Sequence, residues 1–96
     1  MDEKQLRHNF IQYLKTHYRY ARPEIMASNV FYAWNHDIGM DFWDIFASEE
    51  SMLSARQLLI RHFEQIDRKD PAGHASVHHG CWKKFKEFCD SQEILK

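Results

Sequence analysis

Five residues punctuate this chain. Gly39, Gly73 and Gly80, with Pro23 and Pro71, are its whole complement of glycine and proline, and the stretches between them are mostly good helix formers interrupted by aromatics. Few, long elements with short connections follow. Within those stretches apolar residues recur every three or four positions, the period of one helix face, and no alternating run is long enough to make a strand. The expected fold class is all-α, a compact orthogonal bundle of four longer helices and one short helix. One domain over residues 1–96 is expected, because two cores in so short a chain would each be too small to offset chain entropy.

The first helix is expected over residues 2–17, with Leu6, Phe10, Tyr13, Leu14 and His17 on its inner stripe, ending near Tyr18 or Tyr20 ahead of Pro23. Pro23 suits the first turn of a second helix, whose inner face is read as Ile25, Asn29 or Val30, Ala33 and Trp34, with a stop around His36 to Gly39. Asp41 caps a short aromatic helix carrying Phe42, Ile45 and Phe46, and Ser48 caps the next, with Met52, Ala55, Arg56, Leu59, Ile60, Phe63 and Ile66 along its stripe. The polar run Asp67 to Gly73 reads as a loop. A last helix from about His74 to Asp90 then has Val77, Cys81, Phe85 and Phe88 as its core stripe, flanked by Trp82 and Cys89.

Charge excludes a general attraction to nucleic acid, since the formal net charge is −1. It is nevertheless segregated. Residues 1–22 carry a net +3, residues 37–67 a net −5 and residues 68–86 a net +4. No apolar run approaches the roughly 18 residues of a membrane span and no charged-then-apolar leader opens the sequence, so a cytoplasmic protein is expected, with no membrane partner. Cys81 and Cys89 lie eight residues apart on one expected helix, which separates their Cα atoms by about 12 Å. That is too far for a disulfide. Two free thiols fit a reducing compartment.

Chemistry concentrates in Asp70 to Phe88, which gathers three histidines, a cysteine, a tryptophan and three lysines. His74 and His78 have the i, i+4 spacing at which two imidazoles reach one metal, and Cys81 joins their face. Paired zinc-type cysteines are missing, however, and no metal or other cofactor is assigned. No spacing supplies a base for Cys81, and the carboxylates Asp41, Asp44, Glu49 and Glu50 are accounted for as caps and helix-dipole partners. Neither an enzyme nor a small-molecule substrate is expected. What remains is a basic, histidine-rich face. Arg68, Lys69, His78, His79, Trp82, Lys83, Lys84 and Lys86 form a candidate nucleic-acid contact set, with cations for phosphates and an indole to stack.

The order of features, Ile25 to Trp34, then Ile38 to Phe46, then a loop and Ser76 to Phe88 with Lys83, Lys84, Phe85 and Phe88, resembles the N-terminal core-binding, SAM-like domain of tyrosine recombinases and phage integrases. The resemblance implies a small helical DNA-binding unit. The acidic middle departs from that pattern, and the family's catalytic residues belong to a second domain that has no counterpart here. Two functions are therefore expected in order. The first is a non-catalytic DNA-associated module; the second is a protein interaction module, self-associating as a homodimer through exposed aromatics such as Tyr18, Tyr20, Trp43 and Trp82. A His and Cys metal-binding domain is the weaker third.

Overall fold

The computed structural model describes residues 2–35 and 38–93. They form five helices and, among the described residues, no strand: α1 (Glu3–His17), α2 (Pro23–Asn35), α3 (Phe42–Ile45), α4 (Glu49–Gln65) and α5 (Pro71–Ser91). None is long and apolar enough to cross a membrane. The radius of gyration is 13.0 Å, close to the roughly 13 Å of a folded chain of about 100 residues.

Four of the five helices begin where a side chain satisfies one of the first backbone N–H groups. Asp2 accepts from the Gln5 amide at 2.8 Å, Asp41 from Trp43 at 3.2 Å, Ser48 from Ser51 at 3.0 Å and Asp70 from Gly73 at 3.2 Å. For α2, Pro23 stands at the first helical position, where its missing N–H removes nothing. Gly39 has φ +79°, the left-handed conformation anticipated after α2. Of the stop expected around His36 to Gly39, His36 and Asp37 lie outside the described residues.

α5 is the axis of the bundle, packing against α4, α2 and α1. Phe85, fully buried, is its hub. Its ring meets Phe10 of α1 at 5.2 Å, Phe31 of α2 at 5.5 Å, Phe42 of α3 at 5.9 Å and Phe46 at 4.8 Å. Edge-to-face pairs of this kind add about 0.5–1.5 kcal/mol each beyond the area they bury. One hydrophobic cluster thus takes side chains from all five helices.

A helix covered on several sides has a wider buried face than one stripe. α5 buries Ala75, His78, His79, Cys81, Trp82, Phe85, Phe88 and Cys89, while Val77, expected inside, is 57% exposed. α2 is widened in the same way: Ala27 and Phe31 join the expected Val30 and Ala33 inside, while Ile25 is 50% exposed, because α2 lies between α1 and α5. Ile66 is the C-cap of α4 and faces solvent, and His17 ends α1 exposed. α5 also starts three residues before the expected His74. Pro71 opens it, and the preceding turn is made by Asp67 and Asp70 in left-handed conformations, φ 56° and 49°, which aspartate tolerates better than most residues.

Candidate nucleic-acid interface

The eight residues of the expected contact set separate into three groups. His78, His79 and Trp82 are 5%, 7% and 0% exposed and cannot meet a duplex. Their burial corrects the expected histidine-rich face. A neutral imidazole is largely apolar in its body, and the position of α5 at the centre of the bundle turns these rings inward. His78 Nδ1 lies 2.7 Å from the Asn29 carbonyl of α2, and its ring packs 5.0 Å from Tyr32 and 5.7 Å from Phe63.

The three lysines of α5 form the second group, and each faces an acid of its own chain. Lys83 is 3.6 Å from Glu49 of α4, Lys84 is 3.9 Å from Glu87, and Lys86 is 3.1 Å from Asp90. Lys84 makes further contacts, donating to the Tyr18 hydroxyl at 3.2 Å and sitting 4.2 Å above that ring. The bond to Tyr18, ahead of the nearby Glu87 charge, holds its ammonium above the usual lysine range.

Arg68 and Lys69 form the third group, exposed in the turn before α5. The Arg68 guanidinium lies 4.6 Å over the Phe63 ring, a cation–π contact. This turn and the basic connection after α1 do not meet. Tyr18 contacts Lys84 and Glu87 instead, some fifteen residues and so roughly 20 Å along α5 from Lys69.

The sequence held no signal for the cluster that receives Tyr18. Glu87 accepts from the hydroxyls of both Tyr13, at 2.8 Å, and Tyr18, partners nearly the whole chain away. Those two bonds keep the Glu87 carboxyl below its ordinary range. Desolvation, with the Glu87 bond behind it, pushes the Tyr13 phenol up to about 12. Beside the cluster is an open cleft of about 410 Å³ lined by Asn9, Gln12, Tyr13, Thr16, His17 and Phe88, among others. Of the aromatics expected to face a partner, only Tyr20 is mainly a surface group. Tyr18 and Trp43 are half-buried, and Trp82 is inside.

Metal chemistry finds little purchase on α5. Asn29 engages two of the three candidate ligands, its carbonyl facing His78 and its amide donating to Cys81 Sγ at 3.7 Å. Among the described residues, no three histidine, cysteine or acidic side chains gather to hold an ion. Both cysteines are buried and unpaired. Burial raises the Cys81 thiol, though the Asn29 bond opposes it, and pushes Cys89 up to about 12. Neither is an activated nucleophile.

Comparison of the chain with family models, with curated proteins and with solved structures gave no match.

Proposed function

We propose that this chain is a non-catalytic, DNA-associated helical module whose contact edge runs from the connection between α1 and α2 onto α5, with Arg19, Arg22, Lys83 and Lys84 meeting phosphates. The observation that carries the reading is the Lys84 to Tyr18 contact. It joins the basic N-terminal segment to the basic helix, two stretches more than sixty residues apart. Arg19, Tyr20 and Arg22 are exposed beside it, and the Tyr20 ring lies 5.3 Å from that of Tyr18. Cations with an exposed aromatic among them suit a phosphate backbone. The resemblance to a recombinase core-binding domain belongs to the same proposal.

The acids already facing Lys83 and Lys84 do not forbid this. Those pairs are 3.6 and 3.9 Å long, the first between well exposed groups and the second between partly exposed ones, and exposed pairs are typically worth about 0–1 kcal/mol. A phosphate can displace them.

Fluorescence anisotropy on a labelled duplex tests the reading. Binding is expected at about 50 mM salt and should weaken steeply by about 200 mM. Arg19→Gln with Arg22→Gln should lower the affinity at every salt concentration and flatten the slope of log K against log salt by about 2. No binding at low salt overturns the proposal. A chain that stays off the duplex yet sediments as a dimer is a self-associating module instead.

A further inference from the structure

His79 is held differently from the histidine next to it. Only 7% of it is exposed, and its Nε2 is buried without a hydrogen-bond partner. Two neighbouring groups share that condition. The Trp82 Nε1, whose ring lies 6.3 Å from the imidazole, is also buried and unpartnered. So is the Arg56 Nε, although another nitrogen of that guanidinium donates to Ser76 Oγ at 2.6 Å.

The charges around the ring are mostly positive. Lys83 approaches from the next turn of α5, and Arg56 and Glu49 act on it from α4. Glu49, which alone of these favours a protonated ring, is itself 3.6 Å from Lys83. A neutral imidazole fits such a place as an aromatic filler. An imidazolium would be a third cation with its proton unaccepted, in a site that offers little water.

We propose that His79 is an acid-sensitive latch on the seam between α4 and α5, closed while its ring is neutral and forced open when the ring takes up a proton. Burial first, then Lys83 and Arg56, lowers the ring's proton affinity below that of an ordinary histidine. The unfolded chain therefore binds this proton at a pH where the folded chain does not. The stabilisation is complete above about pH 6.5 and is lost as pH falls from there through the folded-state value, by at most about tenfold in the unfolding constant per pH unit. α4 and α5 pack directly on each other, and the ring that would be displaced lies 6.3 Å from that of Trp82.

The full chain is unfolded in urea between about pH 8 and pH 5, alongside His79→Gln, and the His79 ring proton is followed by NMR in the native protein. The expected result is a ring that titrates below 6.5 and a wild-type unfolding constant that rises, relative to the variant's, as the solution is acidified. Titration at or above that value, or the same pH dependence in both proteins, overturns the latch. If His79→Gln does not fold, Lys83→Gln serves, since Lys83 is more than half exposed. Removing its charge should shift the His79 titration upward. An unmoved titration contradicts the electrostatic basis of the latch.

Discussion

His78 and His79 are neighbours in sequence and equally hidden, yet they occupy opposite kinds of seam. His78 lies between α2 and α4, where the Asn29 carbonyl of α2 2.7 Å away fixes its ring and Tyr32 of α2 and Phe63 of α4 pack against it. His79 has a buried Nε2 that finds no partner, and Lys83 of α5 and Arg56 of α4 both disfavour a proton on its ring. One residue of rotation on a helix turns a hydrogen-bonded core imidazole into a barely tolerated one. Burial alone therefore says little about what a histidine contributes. The partner its nitrogen meets decides the sign.

The sharpest break in this comparison is Trp82→Ala. It empties the largest fully buried side chain, one turn from His79, and should lower stability by about 3–5 kcal/mol in urea unfolding, enough to unfold a marginal domain. A pair of leucine substitutions tests the contrast itself. His78→Leu should lose about 1 kcal/mol, the net worth of its bond to Asn29, whereas His79→Leu should change stability by less than about 0.5 kcal/mol at pH 8, because an orphaned nitrogen leaves with the ring. In acid His79→Leu should become more stable than the wild type, as the linkage sign requires. Equal losses in both variants would erase the distinction. Smallest is Tyr13→Phe, which removes one of the two hydroxyls on Glu87 at a half-open seam. About 0.5 kcal/mol is expected there, read as a small shift in the urea midpoint with an unchanged m-value.

Local features were legible and lateral ones were not. Asp41 and Ser48 each accept from a backbone N–H within three residues, and Gly39 acts through its own positive φ, so their roles can be read from a short window. Asp70 and Pro71 look like loop residues until the left-handed turn before them is seen. Val77, Ile25 and Ile66 were placed inside because a single stripe of large apolar residues assumes one neighbour per helix. α5 packs on several helices at once, and it fills the extra directions with Ala75, His78, His79 and Trp82. Counting histidine as polar then turned a piece of core into an expected contact surface. Of that surface the lysines, Arg68 and Lys69 keep some exposure. Glu87, which gathers Tyr13 and Tyr18, was invisible because its partners are distant in sequence and carry no motif.

The turn that launches α5 also limits which residues can stand in it. A Cβ on Gly73 would collide with the Asp70 carboxylate where it now stands, so a side chain at position 73 obliges the capping group to shift. Any larger residue evicts the cap rather than crowding the core. Position 73 is thus a handle on the entry of the longest helix, where an added side chain meets the cap before it meets anything in the core.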